Sequence, residues 1–188
     1  SSIEAADWQY LYTHLGRALE LNSQFAEALR LYDEMRTVAR EQANRELELA
    51  ALIAQATAHI IPSPVFNLKQ GKRLSEQALA LARELGDQAA EAKILWSLML
   101  VHRYGEGDPH QVVAYGEKSL AIARELKLPE QIGLTLNDLG PVYGGIGQLA
   151  RAQKTLEEAG ELWRRHDNLP MLADNLRNLS IVNYLCSN

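Results

Sequence analysis

Val38-Ala39-Arg40-Glu41, Leu81-Ala82-Arg83-Glu84 and Ile122-Ala123-Arg124-Glu125 are one phrase written three times, and Leu162-Trp163-Arg164-Arg165 is a looser fourth copy. The second residues of the four phrases fall at 39, 82, 123 and 163, in steps of 43, 41 and 40 residues. A unit of this length copied four times is the signature of a repeat array, whose units are each too small to bury an apolar face alone and therefore stack. Hydrophobic residues make up 47% of the 188, enough for a continuous core, while aromatics are only 6% and Ala and Leu abound. That composition favours helix almost everywhere.

Each phrase closes a stretch whose apolar residues recur at three- and four-residue steps, and this periodicity predicts nine helices. Trp8, Leu11, Tyr12, Leu15 and Leu19 mark the first, about 3–21. Phe25, Ala28, Tyr32, Met35 and Ala39 mark the second, about 24–41, with Ser23 as its expected N-cap. A third helix, about 45–61, is apolar around most of its circumference. Pro62-Ser63-Pro64 ends it, and a fourth is expected over about 65–85, stopped by Gly86-Asp87. A fifth runs over about 88–104 and a sixth from Pro109 to about 126, with Asp108 as its N-cap in the turn Gly105 to Pro109. Pro129 opens a seventh that carries Leu136, Leu139, Gly140 and Tyr143; an eighth covers about 148–166 and a ninth about 171–186. The units are then 3–43, 44–86, 87–127, 128–168 and a partial 169–188, making one repeat domain over 1–188. Nine is an odd number for a stack of hairpins. The apolar face of Leu172 to Leu185 is too complete for a solvent-facing cap, so the expectation is a fragment of a larger protein cut at a turn.

In the first and fourth units the small and large residues fall in a recognisable order. Tyr12, Leu15, Gly16, Leu19, Phe25, Ala28, Tyr32 and Met35, and again Leu136, Leu139, Gly140, Tyr143, Gly147, Leu149, Ala152, Leu156 and Ala159, resemble the tetratricopeptide repeat (TPR). Gly16 or Gly140 lets the first helix of a pair approach its neighbour, and Ala28 or Ala152 is the matching small site on the second. The two middle units depart from the pattern, with Gly71, Ser75, Val112 and Gly116 at the hallmark alanine and aromatic positions. HEAT repeats have a similar period, but the Leu-Gly on first helices and the small residue after the turn argue against them. The resemblance implies an all-α fold, a right-handed α-solenoid of antiparallel hairpins. The long repeat resembles the TPR arrays of large bacterial regulators, such as maltose-regulon activators and signal-transduction ATPases, which implies a sensory or scaffolding segment of signal transduction or transcription regulation.

The rest of the sequence narrows the function by exclusion. A net charge of −5, with Lys and Arg scattered among acids, argues against nucleic-acid backbone binding through this segment. No apolar run is long enough for a membrane span, and the acidic start Ser1 to Asp7 lacks the features of a signal peptide. With a single cysteine, Cys186, the reading is a soluble protein of a reducing, cytoplasmic compartment. Gly144-Gly145-Ile146-Gly147 lacks a phosphate-binding lysine and follows a helix, so it reads as a turn. The five histidines are not spaced as metal ligands; His102 and His110 flank a turn with Asp108 and read as solvated. There is no nucleophile elbow, and Cys186 has no cationic neighbour in sequence to activate its thiol. We expect no cofactor, no metal and no catalysis.

Binding is what remains, since stacking turns the first helix of each pair toward one common surface. The partner-binding residues expected there are Tyr10, His14 and Arg17 in unit one, Asn137 and Asp138 in unit four, and Arg177, Asn178 and Tyr184 in the last helix. Asn137 and Asn178 stand out because an amide both donates to and accepts from a peptide backbone. Units two and three offer Leu47, Ala50, Ala51, Ala54 and Thr57, then Ile94, Ser97, Leu98 and Val101. Those apolar residues either line the middle of a peptide groove or are covered by neighbouring helices. Pro141 lies inside the seventh helix, where it should kink the chain and free the carbonyl of Asn137. A protein or peptide is the expected partner. A small-molecule effector and a second copy of the chain are the alternatives.

Overall fold

The computed structural model describes residues 5–105 and 107–186. Residues 1–4, Glu106 of the expected turn, Ser187 and the Cys186 thiol lie outside what is described. Among the described residues the chain is all-α, with nine helices and no strand: α1 (Ala5–Leu21), α2 (Phe25–Glu41), α3 (Arg45–Ile60), α4 (Leu68–Leu85), α5 (Gln88–Tyr104), α6 (Pro109–Glu125), α7 (Pro129–Gly145), α8 (Leu149–Arg165) and α9 (Leu169–Cys186). No helix is long and apolar enough to cross a membrane. The helices divide between two compact units, residues 1–90 and 91–188.

Helix ends are set mostly by backbone geometry. Ser23, Ala43, Lys127 and Asp167 take positive φ of 51–61°, and Gly86 and Gly147 take 70° and 80°. At each, the next residue's N–H bonds to a carbonyl five residues back, as in Gln24 to Leu19, Asn44 to Ala39, Asp87 to Ala82 and Gln148 to Tyr143. The same left-handed hook therefore ends six helices and returns the last carbonyls to a donor. This corrects the expected role of Ser23: it forms the hook, while α2 starts from Gln24 with no side-chain cap. Side-chain caps are Asn44 on Leu47 N, Asn67 on Gln70 N, Asp87 on Ala90 N, Asp108 on His110 N and Asn168 on Met171 N. The fourth helix starts at Leu68, three residues later than its periodicity suggests. Ser63 takes the N–H groups of Val65 and Phe66 into a turn, and Asn67 then bonds back to His59 O.

In the first unit Tyr12, Met35, Ala39, Leu47 and Ala51 form a buried cluster, with Trp8, Leu31, Val38 and Ala50 packed against it. In the second, Leu136, Ala159 and Trp163 are central, ringed by Leu120, Ile132, Leu134, Leu162, Met171 and Leu172. Glycine marks the closest approaches. A Cβ added at Gly16 would run into the Tyr32 ring, and one at Gly140 into Leu156. The departures from pattern in the middle units prove to be close contacts as well: a Cβ at Gly71 would lie 2.6 Å from Ile60 Cγ1, and one at Gly116 2.6 Å from Leu139 Cδ2. Interiors at crystal-like density leave no slack for such atoms.

Candidate interaction site on the first helices of the repeats

In the second unit the first helices α5, α7 and α9 carry one connected row of polar side chains. Trp96 of α5 donates its indole N–H to Asp138 Oδ2 at 2.9 Å, and Arg103 Nη1 meets Asp138 Oδ1 at 2.5 Å. One residue earlier on α7, Asn137 Nδ2 donates to Asp174 Oδ2 at 2.8 Å, and Arg177 Nη2 holds Asp174 Oδ1 at 2.6 Å. Beneath the row, buried Asn175 donates to both Asn137 Oδ1 and the Leu156 carbonyl, at 3.1 and 3.0 Å. Both hydrogens of the Asn175 amide and the Asn137 oxygen thus find partners, as buried amides require.

Position within the repeat explains the row. Trp96, Asn137 and Arg177 stand at one repeat position, and Ser97, Asp138 and Asn178 at the next, so neighbouring first helices bring them side by side. Pro141, which has no N–H, sits four residues after Asn137 within α7. The next carbonyl along, Asp138 O, accepts from Arg103 Nη1 at 3.2 Å.

Two guanidiniums face two carboxylates, so the row is close to neutral. Burial pushes the Asp138 carboxyl above its ordinary value, against the pull of Arg103 and Trp96. Asp174 feels desolvation too, but the hydrogen bonds from Arg177 and Asn137 hold it below its ordinary value. Burial, together with nearby Asp138, raises the Tyr104 phenol beside the row. The row ends on α9 in a helical stripe of Arg177, Asn178, Ile181 and Tyr184. Asn178 is only 6% exposed, yet its amide meets no partner among the described residues. Ile181 and Tyr184, at 52% and 70%, are open to solvent.

The expected site residues thus fall into two groups. Asn137 and Arg177 are joined through Asp174, Asp138 is held by Trp96 and Arg103, and Asn178 and Tyr184 lie further along α9. Tyr10, His14 and Arg17 lie on α1 of the other unit. There His14 stacks on Tyr10 with ring centroids 3.8 Å apart and donates from Nδ1 to the Tyr10 carbonyl, while Arg17 pairs with Glu20. Asn137 is enclosed and fully engaged within the protein; Asn178 alone keeps an unspent amide. The apolar residues of the middle units are covered: Leu47, Ala51, Ile94, Leu98 and Val101 are all buried. Trp96, Arg103 and Asn175 were missed. Trp96 reads as core because its ring is, yet its alignment with Asn137 and Arg177 was visible in the repeat register. Arg103 has no such signal. Elsewhere, His102 stacks on Tyr115 at 5.3 Å, and no three potential metal ligands gather among the described residues.

No family model matches the chain, and no curated protein matches it. Solved structures do. The chain is similar to BtubC from P. vanneervenii, at a TM-score of 0.75 and 18% identity over 98% of this chain and 76% of that one. It is similar to nearly identical TPR-like repeats of kinesin light chain type from Podosopora anserina, at 0.69 and 17% over 99% and 90%. It is also similar to a signal-transduction ATPase with numerous domains, carrying a TPR sensor, from Pyrococcus horikoshii, at 0.69 and 14% over 93% of this chain but 26% of that one. At such identities the likeness establishes the fold: a TPR-like helical solenoid.

Proposed function

We propose that the chain is a non-catalytic interaction module that takes an extended peptide of a protein partner along α5, α7 and α9. The observation that carries this reading is Asn178: a residue 6% exposed whose amide makes no hydrogen bond among the described residues, next to exposed Ile181 and Tyr184. A primary amide both donates and accepts, so Asn178 suits an incoming backbone amide that supplies both partners. The near cancellation of charge along the row favours a segment of low net charge with an apolar or aromatic residue for Ile181 and Tyr184. The reading extends to the context: a regulatory or scaffolding segment of a larger cytoplasmic bacterial regulator, supported by the likeness to a TPR sensor array.

Selection from a displayed random-peptide library on the whole chain tests the site. Selected peptides should lose about tenfold or more in affinity on Asn178→Ala, in line with roughly 1.4 kcal/mol per decade. They should lose less on Arg177→Ala and be indifferent to Tyr10→Ala. Peptides that bind Asn178→Ala as tightly as the parent would remove the proposal. Self-association is the second reading, favoured by Leu11 and Leu15 on α1 and Leu176 on α9, all about half exposed. Light scattering across a concentration series decides it.

A further inference from the structure

A second site lies away from this row, on the other helix of each pair. Glu117 and Arg124 stand seven residues apart on α6, and Arg151 and Glu158 seven apart on α8. Arg151 meets Glu117 at 2.5 Å, and Arg124 meets both oxygens of Glu158 at 2.7 and 2.8 Å. Two ion pairs of opposite polarity therefore strap α6 to α8, about 10 Å apart along the helices at 1.5 Å per residue. Between the straps is a half-open cleft of about 300 Å³, lined by half-buried Leu120 over the buried Leu136 and Leu139. One strap is itself fixed. The Arg151 guanidinium lies over the Tyr143 ring at 4.1 Å, and the Tyr143 hydroxyl donates to Glu117 at 3.1 Å.

Two polar groups in this cleft are unspent. Thr155 is 8% exposed and lines the cleft, yet its hydroxyl makes no hydrogen bond among the described residues, where a helical threonine usually bonds back to the preceding turn. Lys154, beside it on the rim, has no carboxylate within ion-pair distance among the described residues. The two straps are each neutral, so the cleft carries the single positive charge of Lys154. The first unit shows that this is not a necessity of the fold. At the repeat position of Leu120 it places Arg36, whose side chain is 17% exposed and reaches across to Gln77 at 3.3 Å, and at that of Leu139 it places Gln55.

We propose that the α6–α8 cleft binds a small monocarboxylate, with its hydrocarbon body against Leu120 and its carboxylate between Lys154 and the Thr155 hydroxyl. The volume is at the lower end for ligand pockets and fits one ring or a short chain. A doubly charged phosphate is disfavoured, because Glu117 and Glu158 frame the opening and only one positive charge is uncompensated.

The test titrates the whole chain with 3-phenylpropionate and with its neutral isostere 3-phenylpropionamide, following thermal midpoint and the methyl resonances of Thr155 and Leu139. The carboxylate should bind about tenfold more tightly than the amide, the factor expected for one charge-assisted hydrogen bond. Lys154→Met should erase that preference, Lys154→Arg should restore it, and Thr155→Val should weaken the carboxylate alone. Lys154 is exposed, so its variants keep the parent's midpoint without ligand. Equal binding of acid and amide, inorganic phosphate displacing the acid, or a Lys154→Met protein that still prefers the acid would each overturn the proposal. So would the absence of any methyl shift at millimolar ligand.

Discussion

Single atoms decide much of this protein, and Asn175 is the clearest case. Its one amide group satisfies Asn137 Oδ1 and the Leu156 carbonyl, and it is tight enough that a Cβ on Gly160 would lie 2.6 Å from its Oδ1. Asn175→Ala strands two buried acceptors and should cost about 2–3 kcal/mol in urea unfolding. Gly160→Ala, which pushes the same amide out of place, should cost about 1–3 kcal/mol. The opposite sign is expected at Ala43, a non-glycine residue held at φ 52°. Ala43→Gly removes a left-handed strain of roughly 1–2 kcal/mol and adds an unfolded-state entropy cost of about half that, so the unfolding midpoint should rise. Asp174 carries a pH signature. Its folded carboxyl titrates below the ordinary value, so its contribution is present above that value and lost as pH falls through the folded one. Asp174→Asn keeps the acceptor for Asn137, and its urea midpoint should drop less than the parent's between neutral pH and about pH 3. The side chain is 41% exposed, so solvent screening keeps the difference small.

At the scale of the element, the helices are specified at both ends by different chemistry. C-termini use the left-handed hook whatever the residue, and sequence reading found it only at Gly86, with Gly147 read as part of a turn. N-termini use side chains in five places, and Asn44 accepts from Leu47 N at 2.9 Å at the head of buried α3. Asn44→Ala should destabilise by about 1 kcal/mol, with Asn44→Asp close to neutral, as measured by chemical denaturation. Start points were legible where Pro or Asp stood, as at Pro109 and Pro129. They were not at α4, where the apolar rhythm of Val65 and Phe66 continues through a turn closed by Ser63 and His59. Hydrophobic period reports which residues face inward, not whether the backbone between them is helical.

At the scale of the whole chain, repeats make stability a sum of local terms, so helices that bury less apolar surface open first. α1 exposes Leu11, Leu15 and Leu21, whereas α3 buries nine of its sixteen residues. Amide exchange should therefore be faster in α1 than in α3 by orders of magnitude, and comparable rates in the two would contradict the picture. The copies are alike in fold and unlike in surface. The α6–α8 cleft has an apolar floor while its counterpart between α2 and α4 holds Arg36 and Gln55, and the first-helix row of the second unit ends in the unspent amide of Asn178.

The sequence by itself determined the helices, their pairing and the TPR-like fold. A phrase recurring every forty or so residues, with small residues at fixed offsets, leaves few other ways to bury its apolar faces. It also named Asn137, Asp138, Arg177 and Asn178, because repeat position fixes which side of a helix a residue occupies. Only the tertiary structure decided what those side chains do. Asn137 is consumed by Asp174 and Asn175, Asp138 by Trp96 and Arg103, and Asn178 is left over. Those partners come from helices about forty residues away, and whether an amide is spent or free depends on distances of an ångström that no periodicity encodes.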